Sequence, residues 1–278
     1  MIGMAEGVFK DGDLIRVIGR EGVLIAAGGA ASLLQTAHPK VAQGVWDHSY
    51  TAEDPTRRLR NTMGWVYTVQ FGTREEAEAL SALVTKGHEA ITGPDYEAND
   101  PELQVWVAST LFAVAAQFYQ LLFRRRLDQA ELEEFYQQSK VYATILGCPE
   151  ERMPGTYPEF REYYADMLQN LEISDASRGV ADQVLYPKLP GGVLNAPGLA
   201  VVRLLTAGLM PAPIREQYGW RWDAARERRF RLLVGVLAAV YPRLPLRVRT
   251  VPREVYLAST RRMLAKLKRA PAISVRST

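Results

Sequence analysis

A helical repeat of apolar residues runs along almost the whole chain of 278 residues, whereas the alternation typical of strands is nearly absent. The repeat is interrupted at Pro39, Gly72, Gly93-Pro94, Gly147 and Pro242, which are residue types that end helices. The predicted helices span residues 21–37, 40–47, 55–71, 74–92, 101–125, 128–146, 157–171, 176–186, 197–208, 222–241 and 254–268. The sequence therefore predicts an all-α fold.

Nothing in the sequence divides the chain into separate folding units. Between Glu172 and Trp220 the helical pattern loosens around several prolines and glycines, but neither flank looks self-sufficient and no low-complexity tract is present. We interpret this segment as loops that close over one helical core. The prediction is a single domain over residues 1–278, with a core of about 19–245 and a basic C-terminal helix over 254–268.

The composition is that of an ordinary globular protein, with 47% hydrophobic and 23% charged residues. A net charge of +3 is too small to indicate nucleic acid as a partner. Basic residues do concentrate in 243–253 and 261–269; we interpret them as a solvated surface, with contact to an anionic membrane or partner as the alternative. The apolar stretches 22–37 and 103–123 contain polar interruptions, so we expect no membrane span, while peripheral membrane contact stays open.

Two further features bear on the compartment. Cys148 is the only cysteine, so no intrachain disulfide can form, and its setting in a turn indicates a structural role. The N-terminal residues are charged and lack the apolar region of a secretory signal. We expect a cytoplasmic location.

Two polar residues in the predicted helix 55–71 point toward its apolar side. This apolar arc consists of Leu59, Met63, Val66 and Val69. At 100° per residue, Arg58 and Thr62 fall inside the arc, while Arg57 and Arg60 fall on the opposite, solvent-facing side. An arginine directed at an apolar interior is costly unless it meets an anion or several acceptors. Arg58 and Thr62 are therefore candidate site residues.

The following helix places a histidine beside its own apolar stripe. The stripe consists of Leu80, Leu83, Val84, Gly87 and Ile91. His88 lies at the edge of this stripe, and Gly87 next to it would let a flat ligand approach the backbone. The two helices together predict a pocket with an inward Arg and Thr on one side and an inward His on the other.

Several common catalytic centres have no counterpart in the sequence. It contains no glycine-rich phosphate loop, no Gly-x-Ser-x-Gly turn and no Glu-x-x-His pair, and His88-Glu89 is followed by Thr92 where a zinc protease needs its second histidine. We interpret His38 and His48 as hydrogen-bonded structural residues. The metal centre that these residues still allow is one that needs a single protein ligand, such as the iron of haem. A histidine beside an apolar stripe is more often a core residue, so both interpretations stay open.

The order of short segments along the chain resembles one particular family. The segments that carry the resemblance are Leu33–Pro39, Asp47-His48-Ser49, Asp54-Pro55, Arg58–Thr62, Gly72, His88, Ile91–Gly93, Tyr96–Asp100 with Trp106, Leu146-Gly147 with Pro154, and Arg215 with Tyr218–Trp220. The family includes the latex clearing proteins of rubber-degrading bacteria and the fungal oxygenase MpaB.

The resemblance implies an all-α fold around haem b, with His88 as the axial ligand of the iron and Arg58 and Thr62 on the opposite side, where dioxygen binds. Asn61 stands where latex clearing proteins have a lysine, so its charge is missing. The implied function is a haem b-dependent oxygenase that acts on a small apolar, unsaturated or prenylated intracellular substrate.

Two other functions remain open. The first is a non-catalytic helical carrier or sensor that binds haem or a lipid-like ligand. The second is an interaction module without a ligand, in which Asp54 pairs with Arg58 one turn along the helix.

Overall fold

Helices account for most of the residues that the computed structural model describes, which are 6–48, 54–187 and 196–269. The α-helices are α1 (Leu14–Gly19), α2 (Gly28–Gln35), α3 (Pro39–His48), α4 (Pro55–Phe71), α5 (Arg74–His88), α6 (Pro101–Phe123), α7 (Gln129–Ser139), α8 (Val141–Thr144), α9 (Tyr157–Asn170), α10 (Asp175–Leu185), α11 (Ala196–Leu209), α12 (Ala212–Gln217), α13 (Ala224–Val240), α14 (Leu246–Arg249) and α15 (Val251–Arg269). A two-residue hairpin joins β1 (Thr92–Gly93) to antiparallel β2 (Tyr96–Glu97). The predicted all-α fold is confirmed.

Helix α6 is the central element. It begins where the Asp100 carboxylate accepts a hydrogen bond from the backbone N–H of Glu102, and it ends at Arg124, whose φ of 48° is left-handed. Among the described helices it alone is long and apolar enough to cross a membrane, yet 61% of its apolar window is buried inside the protein. This burial is typical of a core helix.

The hydrophobic core has two halves, one on each side of α6. In the first half, α2, α11 and α13 pack against α6, around residues such as Leu34, Phe118 and Leu205. In the second half, α1, α7 and α9 pack around Phe112, whose ring meets that of Phe160 edge to face at 4.9 Å. The segment 172–220, which the sequence suggested closes over the core, contributes Leu205 and other core residues itself.

Some predicted boundaries need correction. The predicted helix 21–37 is a 3-10 turn over Gly22–Ala27 followed by α2, and the predicted helix 128–146 is interrupted near Lys140 between α7 and α8. The predicted helix 74–92 ends at His88, because Thr92 and Gly93 pair with β2. Short α1, α12 and α14 carry too few residues for a recognisable helical repeat.

The C-terminal helices are joined to the N-terminal segment through a buried carboxylate. Glu21 is 1% exposed; its carboxylate accepts hydrogen bonds from Arg249 Nη1 at 2.9 Å and from the Tyr241 hydroxyl at 3.0 Å. Helix α15 then lies against α4, where Tyr256 stacks on Tyr67 at 5.8 Å between ring centroids. The basic C-terminal helix is thus part of the folded domain.

Candidate functional site

A groove of about 650 Å³ lies between α4, α5 and α15. We call it the α4–α5–α15 groove. Its lining residues are Arg57, Arg60, Asn61, Trp65, Leu80, Leu83, Val84, Ser259, Thr260, Arg262, Met263 and Lys266. The lining combines apolar side chains with four cationic ones and contains no carboxylate among the described residues. Such a surface suits a ligand with a hydrocarbon part and an anionic group.

Three sets of contacts build this groove. The indole N–H of Trp65 donates to Ser81 Oγ at 2.9 Å, which fixes α4 against α5. Glu76 completes a capping box with Thr73 at the start of α5, and the same carboxylate accepts two hydrogen bonds from Arg261 of α15. Gly64 lets α15 approach closely, since a Cβ at this position would lie 2.7 Å from Thr260 Oγ1.

The predicted site residues of α4 are only partly inward. Arg58 is partly buried and Asn61 lines the groove, but Thr62 is exposed, so its predicted inward position is wrong. Leu59, assigned to the buried arc, is 42% exposed. The reason is that residues 55–62 contain no fully buried side chain, and the packed part of α4 starts at Gly64.

Arg57 and Arg60 are exposed, as the helical projection predicts, but they also line the groove, which the projection does not indicate. Helix α15 covers this side of α4, and a projection of one isolated helix carries no information on a partner about 200 residues further along the chain. Trp65, Arg262, Met263 and Lys266 were missed for the same reason. Gly64 in the middle of α4 was the one residue in the sequence that could have indicated a close crossing with another helix.

His88 is the last residue of α5 and its side chain is partly buried. Burial lowers the pKa of the imidazole below its usual value, and an interaction with the Asn99 side chain partly opposes this shift. The ring is therefore neutral at pH 7. Its Nδ1 is buried, and although the Asn99 side chain lies near enough to the ring to affect its pKa, no hydrogen bond of normal geometry joins Nδ1 to a described residue. A neutral imidazole with an unpartnered nitrogen is the form in which histidine binds a metal.

The surroundings of His88 differ from the predicted pocket. His88 does not line the α4–α5–α15 groove, and Gly87 is exposed, with no atom within 4 Å of the position its Cβ would take. Gly87 therefore lies outside the buried stripe, as does Leu83, which is 45% exposed. Ile91 does not continue the stripe, because α5 ends at His88 and the chain turns into the β1–β2 hairpin.

A second imidazole has the same electrostatic character. His38, at the start of α3, lines a smaller cavity of about 310 Å³ together with Pro39, Met167, Asn170, Leu171 and Glu172. Burial and, to a lesser extent, Lys40 lower its pKa, and its Nδ1 also has no partner among the described residues. The predicted hydrogen-bonded role is therefore not what the structure shows for this side chain.

The remaining polar residues have ordinary structural roles. His48 Nε2 lies 3.2 Å from the Tyr96 hydroxyl and 3.3 Å from the Thr92 carbonyl, which confirms that it is hydrogen-bonded. Asp54 caps α4, where its Oδ1 accepts from the Arg57 backbone N–H at 2.9 Å. No cluster of three or more His, Cys, Asp or Glu side chains suited to a metal ion occurs within the described parts of the chain.

The site thus comprises a groove of apolar and cationic side chains in an all-α domain, and two partly buried imidazoles that lie outside this groove. Residues 15–239 match the family described as the catalytic domain of the ER-bound oxygenase mpaB/B′ and rubber oxygenase. The chain belongs to this family, as the ordered segments indicated. Helix α15 and its wall of the groove lie beyond the matched residues.

Two mycobacterial proteins are similar to most of the chain. They are uncharacterised proteins of Mycobacterium bovis and Mycobacterium tuberculosis, each 27% identical over 241 residues, which cover 81% of this chain and 91% of the relative. No solved structure matches the chain significantly.

Proposed function

We propose that this protein is a haem b-dependent oxygenase that acts on a small apolar, unsaturated or prenylated substrate. Its family is that of an oxygenase catalytic domain. The observation that carries the haem proposal is the buried Nδ1 of His88, which belongs to a neutral imidazole and has no partner among the described residues. Haem requires one such nitrogen, because the porphyrin provides the other four ligands of the iron.

One feature beside His88 leaves room for a flat cofactor. No atom lies within 4 Å of the position that a Cβ of Gly87 would take, so this side of the helix end is open. Bound haem would supply the activation of dioxygen. His88 would hold the iron and, being neutral, would leave its nitrogen lone pair available for this bond.

The side chains of α4 would act on charge and substrate position. The guanidinium of Arg58 offers five donors and can stabilise negative charge that develops on oxygen. Asn61, which lines the groove, is neutral and can only orient a polar group, whereas Thr62 is exposed and takes no part in this proposal. Since Asn61 also lines the groove, a substrate whose hydrocarbon part contacts Trp65, Leu80 and Val84 would extend toward this end of α4.

An absorption spectrum tests the proposal directly. Protein produced with added haem precursor should show a Soret band and a reducible iron, and His88→Ala should lose or alter both. His38→Ala is the matched control, because His38 is also neutral, partly buried and unpartnered at Nδ1. A colourless protein would refute the haem proposal, and loss of the band in His38→Ala alone would assign the ligand to His38.

A second candidate function is a carrier for an apolar ligand without turnover. One observation favours it: the α4–α5–α15 groove contains no imidazole, so ligand binding in the groove does not depend on haem. Oxygen consumption in the presence of prenyl compounds distinguishes the two functions. A carrier would bind these compounds and consume no oxygen.

A further inference from the structure

The C-terminal part of the described chain has an unusual charge balance. Residues 228–269 carry twelve Lys and Arg but a single acidic residue, Glu254. The net charge of the whole chain is only +3, so the rest of the chain is net acidic. Positive charge is therefore concentrated in this part of the chain, which the total charge hides.

The same segment exposes large apolar side chains. Leu232, Val236 and Val240 are four residues apart and share one face of α13. The series continues through α14 and the start of α15. Its further members are Leu244, Leu246, Val248, Val251 and Val255. All eight side chains are 37–69% exposed, so this segment of the chain is a candidate interaction surface.

Cations stand among these apolar residues. Arg247 lies between Leu246 and Val248 in the sequence, and Arg228 and Arg229 lie one turn before Leu232. None of these arginines, nor Arg243, forms an ion pair with a carboxylate in the described parts of the chain. We call residues 228–255 with the outer face of α15 the C-terminal surface.

The outer face of α15 extends this surface to the groove. At 100° per residue, Val251, Val255, Arg262 and Lys266 project within about 60° of one another. The buried residues Leu257, Thr260 and Leu264 are on the opposite side of the helix. Since Arg262 and Lys266 also line the α4–α5–α15 groove, the groove opens next to the C-terminal surface.

The C-terminal surface combines positive charge with exposed apolar side chains, and this combination favours some kinds of partner over others. A second copy of this chain, related by a two-fold axis, would bring two strongly basic faces together, which is repulsive. Nucleic acid would satisfy the arginines but would leave eight apolar side chains against phosphates. A bilayer with anionic lipids satisfies both features, because cations meet headgroups and apolar side chains enter the interface.

We propose that the C-terminal surface docks this protein on the surface of a bilayer that contains anionic lipids. Docking of this kind needs neither haem nor turnover. If the proposed function holds, it places the groove mouth at the membrane, from which an apolar substrate can enter without crossing water. The proposal therefore fails or holds independently of the oxygenase.

Co-sedimentation with vesicles tests the docking. The full chain is mixed with vesicles of phosphatidylcholine alone or with about 30% phosphatidylglycerol, at about 0.05 M and about 0.5 M salt, concentrations that bracket strong and weak screening. We expect binding to the anionic vesicles at low salt, weaker binding at high salt, and little binding to phosphatidylcholine. Equal binding to both vesicle types, or none at low salt, would overturn the proposal.

Variants locate the binding surface. Each cation at an anionic membrane surface accounts for about a fivefold change in binding, so Arg243→Gln with Arg247→Gln should weaken it about 30-fold. The matched control is Arg126→Gln with Arg161→Gln, exposed arginines elsewhere that remove the same net charge. Leu246→Ser with Val248→Ser should also weaken binding, and this loss should persist at high salt.

Other partners of the C-terminal surface would give different results in these experiments. Replacement of Arg243 and Arg247 by Lys should preserve vesicle binding, because the membrane responds to charge and not to the guanidinium geometry. An equal loss in the control pair would show that net charge alone matters and would overturn the surface assignment. A concentration-dependent dimer that the Leu246→Ser and Val248→Ser changes dissociate, without vesicle binding, would identify a second copy as the partner.

Discussion

Helices α6 and α15 are of similar length, with 23 and 19 residues, but they have opposite relations to solvent. Helix α6 is apolar on all sides and supplies thirteen buried residues to both halves of the core. Helix α15 buries only Leu257, Thr260 and Leu264 and is otherwise basic and exposed. The first helix holds the fold together, and the second provides a wall of the groove and a charged outer surface.

Stability and ligand recognition are therefore located in different helices of the molecule. Changes in α6 should act on the free energy of unfolding, since a buried side chain has many partners to lose. Changes on the outside of α15 should leave the fold intact. Four measurements test this division.

Trp106→Ala should have the largest effect. The indole is 0% exposed, donates to the Leu34 carbonyl at 3.0 Å and stacks on Tyr164. We expect the free energy of unfolding to fall by about 3–5 kcal/mol in a denaturant titration. Leu267→Ala on α15, at 51% exposure, is the control and should change it by less than about 0.5 kcal/mol. Similar losses for both would contradict the division.

Arg249→Met should be the next most damaging change. It removes the principal cation beside the buried Glu21 carboxylate, although the hydrogen bond from Tyr241 remains. A buried charge without its partner is costly, so we expect a loss of about 2–4 kcal/mol by chemical denaturation. Arg247→Met, two residues away and exposed, should be nearly neutral. If both variants unfold alike, the Glu21 pair does not anchor the C-terminal helices.

Gly22→Ala should act on α15 more than on α6. A Cβ at Gly22 would lie 2.5 Å from Pro252 Cγ and 2.8 Å from the Arg249 carbonyl oxygen. We expect about 1–3 kcal/mol of destabilisation, with hydrogen exchange accelerated in α15 before α6. Gly28→Ala is the control, because no atom lies within 4 Å of the position of its new methyl group. It should not accelerate hydrogen exchange in α15. Uniform acceleration across both helices would mean that α15 unfolds only together with the core.

The pH dependence of stability should be the smallest effect. Burial lowers the folded-state pKa of both His38 and His88, so the unfolded chain binds more protons. The free energy of unfolding should therefore decrease as the pH falls below about 6.5, the ordinary pKa of histidine, toward the lower folded-state values. His88→Gln and His38→Gln should each flatten this slope. An unchanged slope in both variants would show that the imidazoles do not report on folding.

The sequence was sufficient for the fold but not for the walls of the site. The apolar repeat of α6 and the stops at Gly72 and Gly147 describe local chain geometry, which a helical projection captures. The position of α15 against α4 depends on contacts such as Tyr256 with Tyr67, between residues far apart in sequence. No local pattern encodes that contact, so the projection placed Arg57 and Arg60 correctly at the surface but did not indicate the groove that they line.

The histidines show the same limit at a smaller scale. The stripe beside His88 predicted partial burial, and the structure confirms it. His38 was assigned a structural role because it precedes Pro39 at a helix end, and the sequence contains no sign of the cavity formed by Met167 and Leu171 across from it. The partial burial of a histidine can be predicted from the apolar arc of its own helix. Whether its ring nitrogens find hydrogen-bond partners depends on segments that are distant in the sequence.

The groove wall formed by α15 belongs to a segment outside the residues that the family shares, 15–239. Substitutions at Met263 or Lys266 can reshape this wall while the central helix and its packing stay as they are. Because both side chains are exposed and lie away from the buried face of α15, such substitutions can change which ligand the groove accepts at little cost in folding.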